Sequence, residues 1–257
     1  MLFRSNQAVL GPEDLLEFFA DDPAVRAIGL HLEGLQNIPK FEKSAIKALT
    51  NGKPVVVLKT GSSNIGSNLT VSHTGSLSGS AELYEALFQR VGIISVTNPS
   101  QLLETLKFLC VVGAPKGKQV VGFTCSGGGA TMLADHAEKI DLIFPEFKTT
   151  QETELSALLP DIATVSNPLD YTTPIWGQEE MTYPVFAKAI SAIEADTAVL
   201  VQDYPAAEID SSKVYYRADA MAFARASNEQ GLPAIICATL PENMDLETRE
   251  LLITKGI

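Results

Sequence analysis

One histidine, His73, lies in the middle of residues 59–80, a run built almost wholly of glycine, serine, threonine and asparagine. Imidazole is a nucleophile and proton carrier near neutral pH. Glycines let a backbone approach an anion closely, while hydroxyls and amide N–H groups can hydrogen-bond to it. His73, flanked by Ser72, Thr74 and Gly75, is therefore a candidate for chemistry beside a bound anion. Composition alone suits a surface excursion equally well. What favours a site is the position: the run leaves an apolar segment, 54–58, that reads as a buried parallel strand, and open α/β sheets bind ligands beyond such strand ends.

Three other groups have suitable chemistry. Glu33 ends an apolar strand pattern and fits a partner for the second ring N–H of His73, as the third member of a triad does. A solvated acid at a strand end is the alternative. Ser126, Gly127, Gly128 and Gly129 stand between a strand and a helix, where free N–H groups and the helix dipole favour an anion. A tight turn with glycines for packing has the same sequence. It is not a GxGxxG fingerprint, and no ribose-binding acid follows the next strand. Asn167 and Asp170 suit either an inter-domain cleft or simple turn chemistry. His31 reads as a strand-face residue, His136 as a helix-surface residue, and Tyr171 and Trp176 as packing aromatics.

The elements that must position these groups alternate strand and helix, which argues for parallel sheets covered on both faces. No convincing strand is visible in residues 1–11. Helices are expected from Pro12, over 39–49, 81–91 and 101–112 (capped by Ser100), and strands over 24–32, 55–58 and 92–96. After Ala114–Lys118, which reads as a linker, the pattern restarts. Strands are expected over 120–125, 197–202 and 234–238, with an extended segment over 163–170. Helices are expected over 131–139, 154–159, 184–193, 214–228 and 246–254. The resulting fold class is α/β, with domains at 1–113 and 118–257.

The formal charge of −12 opposes a nucleic-acid or anionic-membrane surface, since either needs a basic patch. The three cysteines, Cys110, Cys125 and Cys237, lack CxxC spacing and read as reduced core or near-site thiols; no metal site is indicated. No apolar run has membrane-spanning length and no signal peptide opens the chain, so a cytoplasmic location is expected. Residues 255–257 look like a helix handing over to a strand, so the chain reads as part of a longer polypeptide.

Residues 71–77, Val-Ser-His-Thr-Gly-Ser-Leu, resemble the phosphorylated-histidine segment of the NDP-forming acyl-CoA synthetases, the superfamily of succinyl-CoA synthetase. Residues 54–61 resemble the strand leading into it, and Leu32-Glu33-Gly34 the strand end whose glutamate contacts the histidine. The segment 126–129 with Asp135, then 167–170, resembles motifs of the second ligase domain. The order of the four motifs is that of the family. The resemblance implies two flavodoxin-like domains, the first lacking its opening strand and helix. It implies phosphoryl transfer through an acyl phosphate and phospho-His73. CoA, ATP or ADP and Mg²⁺ are implied through CoA-binding and ATP-grasp domains that this chain does not contain, with no tightly bound cofactor here. Partner domains and an oligomer are implied too, and the chain alone is expected to be inactive. Ser62 departs from the pattern, standing where the family usually carries a basic residue. A ligand-sensing module, of the kind fused to acetyltransferases, is the alternative function, although such a module has no need of the nucleophile. A flavodoxin-like FMN protein is disfavoured for want of an aromatic-flanked loop.

Overall fold

The computed structural model describes residues 2–3, 10–63, 65–66, 81–205 and 211–257. The chain divides into two compact units, Met1–Cys110 and Val111–Ile257, each with its own sheet.

In the first unit the strands β1 (Leu2–Phe3), β2 (Ile28–Leu32), β3 (Val55–Lys59) and β4 (Ile94–Val96) lie in that order, all parallel. β2 and β3 are central, and their near-continuous apolar runs, Ile-Gly-Leu-His-Leu and Val-Val-Val-Leu-Lys, are buried on both faces as parallel strands must be. One face is covered by α1 (Pro12–Asp21), α2 (Ile38–Thr50) and α3 (Ala81–Arg90), which bring Leu16, Phe41, Ala45 and Phe88 against Leu30, Val55 and Val57. The other face receives α4 (Pro99–Val111), whose Leu102 and Leu109 pack on Val56 and Leu58.

Two expectations are corrected here. Residues 1–11 do contain a strand: Leu2 and Phe3 pair with Gly29 and Leu30. A two-residue strand has no periodicity to read and exists only through its neighbour. The cap of α4 is Asn98, whose Oδ1 accepts from Gln101 N–H at 2.9 Å, so the helix begins at Pro99 rather than after Ser100.

Lys53 is buried, and its ammonium closes the end of α1 by donating to the carbonyls of Phe19 (3.1 Å) and Asp22 (2.5 Å). Carbonyls at a helix end lack intrahelical donors, and a charged donor is a strong substitute. Lys53→Met keeps the stem and removes the charge; a loss of about 1–2 kcal/mol in urea unfolding is expected, and an unchanged midpoint would show that water serves those carbonyls as well.

The second unit carries β5 (Val120–Thr124), β6 (Leu169–Asp170), β7 (Thr197–Val201) and β8 (Ala234–Cys237) in the order β6-β5-β7-β8, again all parallel. Its helices are α5 (Gly127–Glu138), α6 (Thr149–Ser156), α7 (Glu179–Ala192), α8 (Lys213–Glu229) and α9 (Leu246–Thr254). The core is aromatic at its centre. Phe123 of β5 meets Phe186 of α7 edge-on at 5.0 Å and Phe223 of α8 at 5.8 Å, an arrangement that suits ring quadrupoles. Gly122 faces the opposite side, where an added Cβ would fall 2.9 Å from Leu133 of α5 and 3.1 Å from Pro168.

α7 begins before Pro184 and contains it. As the sixth residue of α7 it lies past the first turn and leaves Glu180 O without its intrahelical donor, and buried Val185, Phe186 and Ala189 hold the helix together around it. α6 lies earlier than the 154–159 expected, and of the extended segment 163–170 only Leu169–Asp170 forms strand. Cys237 is exposed, contrary to its reading as a core or near-site thiol, whereas Cys110 and Cys125 are half-buried.

Candidate functional site

In the first unit, strand pairing places two charged groups at one sheet edge. Leu32 is in register with Lys59, so Glu33 follows the last residue of β2 beside the last residue of β3. Thr60 N–H continues the ladder to Leu32 O at 2.9 Å. The Glu33 side chain is partly covered, and its Oε2 is buried with no hydrogen-bond partner among the described residues. The Lys59 ammonium donates to Thr60 O at 2.5 Å and lies 4.7 Å from the centre of the Tyr84 ring. Burial lowers the Lys59 pKa, and the charge on Glu33 acts in the opposite direction. From α3, the Tyr84 hydroxyl accepts the Leu35 N–H at 3.0 Å, holding the turn that follows Glu33. His31 Nε2 lies 3.2 Å from Thr60 Oγ1, a satisfied strand-face position. Ser62, at the departure from the family pattern, is exposed.

The nucleophile candidate His73 and its neighbours Ser72, Thr74 and Gly75 lie outside the described residues. Glu33 is therefore the one member of the expected catalytic pair whose surroundings are on view. Lys59 and Tyr84 join it as site residues that the sequence does not single out. For Lys59 a signal exists, a cation closing an otherwise apolar strand; Tyr84 gives none, being one aromatic among the apolar positions of a helix.

In the second unit the glycine triplet is not a turn before a helix but the first turn of α5 itself. Ser126 caps it, its Oγ accepting from Gly129 N–H at 3.4 Å, so that hydroxyl already has a role. The amides of Gly127 and Gly128 have no intrahelical acceptor and both residues are exposed. The three glycines are not equivalent. A Cβ on Gly129 would fall 2.6 Å from Thr124 Oγ1, whereas at Gly127 and Gly128 the nearest atoms are 3.5 and 3.7 Å away, ordinary contact. Packing therefore demands glycine at 129 alone. Gly129→Ala is expected to lower stability by about 1–3 kcal/mol, and Gly128→Ala to match or exceed the native stability, since alanine favours a helix. Equal losses at both positions in the same denaturation series would contradict this division.

Asp170 ends β6 beside this helix start. Its Oδ2 lies 3.5 Å from the point where a Cβ on Gly127 would stand, and its Oδ1 accepts from Thr172 N–H at 2.9 Å. A carboxylate thus already faces the positive end of α5. Asn167 is a different case, for its side chain is bonded to backbone within the second unit. Its Oδ1 accepts from Gly122 N–H (2.9 Å) and its Nδ2 donates to Val120 O (2.8 Å) and Pro145 O (3.0 Å). Both amide N–H groups are thereby committed to backbone, and one lone pair of Oδ1 is all that remains. Asp135 and His136 are exposed on α5.

A residue that the sequence does not flag anchors the same end of the second sheet. Asp219 of α8 has no exposed surface, and accepts from Tyr171 Oη (2.9 Å) and Gly177 N–H (3.0 Å). Gln202, at the end of β7, approaches it at 3.5 Å and accepts from Tyr204 Oη at 2.8 Å. Burial raises the Asp219 pKa to about 6 despite these donors. Its spacing from Phe223 and Ala226 on the buried face of α8 is the one signal in the sequence. Cys125, next to this network, has its pKa raised by burial first and then by Asp219, which makes it a poor nucleophile. No group of three histidine, cysteine or carboxylate side chains suited to a metal exists among the described residues, and no helix among them is long and apolar enough to cross a membrane.

Comparison with known proteins accords with this architecture. Residues 4–109 match the family model for the succinyl-CoA ligase-like flavodoxin domain. The chain is 35% identical over 174 residues to the alpha subunit of ADP-forming acetate–CoA ligase II of Pyrococcus furiosus, a match covering 68% of this chain and 38% of that protein. It is 29% identical over 255 residues to ADP-forming acetate–CoA ligase I of Archaeoglobus fulgidus, covering 98% of this chain and 34% of the relative. Among solved structures, the dinucleotide-forming acetyl-coenzyme A synthetase 1 of Ca. Korarchaeum cryptofilum, in complex with phosphate and ADP, superposes with a TM-score of 0.80. That match has 24% identity over 96% of this chain and 52% of the other, and shows likeness of fold. The chain spans between 34% and 52% of the length of these relatives. With the motifs in order, the two parallel-sheet units and these likenesses, the chain belongs to the NDP-forming acyl-CoA synthetase family and carries its flavodoxin-like portion.

Proposed function

We propose that this chain supplies the phosphohistidine step of an NDP-forming acyl-CoA synthetase, which interconverts carboxylic acid, CoA and NTP with acyl-CoA, NDP and phosphate. In the NTP-forming direction a ring nitrogen of His73 attacks the phosphorus of an acyl phosphate. The P–N bond forms as the P–O bond to the acyl group breaks, and the carboxylate leaves. A terminal oxygen of the NDP then attacks the same phosphorus, the P–N bond breaks, and the imidazole is regenerated. The observation that supports this most is Glu33. It is a carboxylate at the ligand edge of a parallel sheet with one buried oxygen unpartnered among the described residues, in a chain whose relatives are ADP-forming ligases. Glu33 accepts the second ring N–H, fixing the tautomer and stabilising the cation formed on phosphorylation.

Ser72, Thr74 and Gly75 supply hydroxyl and amide donors to the phosphoryl oxygens. The exposed amides of Gly127 and Gly128 form a second anion-binding element, in which Asp170 restricts the anion to one side of the helix axis. CoA and nucleotide bind to CoA-binding and ATP-grasp domains supplied by the rest of the polypeptide or by another subunit, and the flavodoxin-like portion does not turn over alone. No step is assigned to Mg²⁺ on this chain.

Exposure of the chain to phosphoramidate, followed by intact-mass measurement at alkaline pH, tests the reading. The expected result is uptake of one acid-labile phosphoryl group that maps to His73. An acid-stable adduct at a serine would overturn it.

A further inference from the structure

Glu33 and Lys59 leave the ends of neighbouring strands, yet neither makes a side-chain hydrogen bond or ion pair with the other among the described residues. One residue from a third element touches Lys59 and the turn that follows Glu33. The Tyr84 hydroxyl takes the Leu35 N–H, two residues beyond Glu33, and its ring lies under the Lys59 ammonium. Tyr84 is itself almost wholly covered and braced by Phe88 at 5.8 Å, so it is a fixed support. It projects from α3, the helix that follows residues 67–80 in the chain. A cavity of about 690 Å³ opens beside it, lined by Lys59, Ser62, Tyr84, Gln89 and Thr97 among others.

We propose that Tyr84 is a positioning residue for the phosphoryl-transfer edge: its hydroxyl sets the turn that aims the Glu33 carboxylate, and its ring sets the Lys59 ammonium. This rests on the phosphohistidine reading above. The reasons are geometric. The Tyr84 hydroxyl is the side-chain acceptor for Leu35 N–H, so losing it frees the backbone that orients Glu33. Among the described residues the ammonium is held by one carbonyl and one ring face, and the ring face is the part that fixes its direction. Small displacements of an orienting carboxylate carry large rate penalties.

The test is a double-mutant cycle in the enzyme with its full complement of domains. Tyr84→Phe deletes the hydroxyl and keeps the ring. It is expected to lower kcat about tenfold with the acid's KM unchanged, and to lower it by less than about twofold when Glu33 is already Gln. A structural role alone would impose the same factor in both backgrounds, and that result, or no loss in either, would overturn the assignment. Tyr84→Leu removes the ring as well and is expected to add a further loss that Lys59→Met does not add to. His73→Asn in the same assay separates the two ideas: native turnover there removes the phosphohistidine reading, whereas the Tyr84–Glu33 coupling is judged on its own ratio of rates.

Discussion

His73→Asn is expected to abolish synthetase turnover, by about a thousandfold or more, because a carboxamide nitrogen is not a nucleophile that can form and break a P–N bond. Asparagine keeps polarity and approximate size while removing the nucleophile. The same variant should take up no phosphoryl group from phosphoramidate. Glu33→Gln is expected to fall between this variant and the native enzyme. Its amide oxygen still accepts an N–H, but it cannot neutralise the imidazolium, so a loss of about a hundredfold or more in kcat follows. Finding His73→Asn dead and Glu33→Gln fully active would leave the histidine in place and remove its proposed partner. Finding both active would return the chain to the class of binding modules.

The second large effect concerns stability. A folded Asp219 with a pKa of about 6, against an ordinary value of 3.8, binds its proton more tightly folded than unfolded. Between those values the native state holds more protons, so stability falls as pH rises through the window. Above about pH 6 both states are ionised, and below about pH 4 both are protonated. The shift corresponds to about 3 kcal/mol across the window. The group has no exposed surface, so solvent screening does not reduce this much. The comparison to make is native against Asp219→Asn, by urea unfolding at several pH values between 4 and 7. Trp176 is the single tryptophan, and it packs on Tyr216 at 4.7 Å and Tyr215 at 5.6 Å, so its fluorescence reports this unit. The difference between the two proteins should change by the full amount, about 3 kcal/mol; a constant difference would assign the titration elsewhere. Asp219→Ala leaves the Tyr171 hydroxyl and the Gly177 amide unpaired in the interior and should cost about 2–5 kcal/mol, with the larger loss at the acid end of the window.

How far the sequence reveals these features depends on the distance over which each is determined. β2, β3, β5 and β7 read plainly because a strand buried on both faces is a local apolar run. β1 and β6, two residues each, are strands only because a partner lies alongside. Helix starts mislead where one residue carries two meanings. The glycines at 127–129 signal a turn in isolation but form the first turn of α5, and Pro184 signals a start but sits inside α7. Glu33 can be named because it follows a strand, and the strand pairing puts it beside Lys59. Tyr84 and Asp219 act through contacts 49 and 48 residues away, and no pattern of neighbouring residues records those. Asn167 resembles a cleft residue for the same reason, since its partners lie on another strand and a distant loop.

Asn167 has a consequence for association. β6 pairs with only Phe123 and Thr124 of β5, which would leave the first half of β5 as a bare strand edge. A bare edge is a template for a foreign strand, and chains with such edges aggregate. Here the Asn167 amide imitates a peptide group, answering Gly122 N–H and Val120 O, and Ile143 O takes the Val120 N–H at 2.8 Å. One side chain thus plugs the gap that a short strand leaves. Concentrated solutions of Asn167→Ala should show this as growth in light scattering well before any loss of native fold.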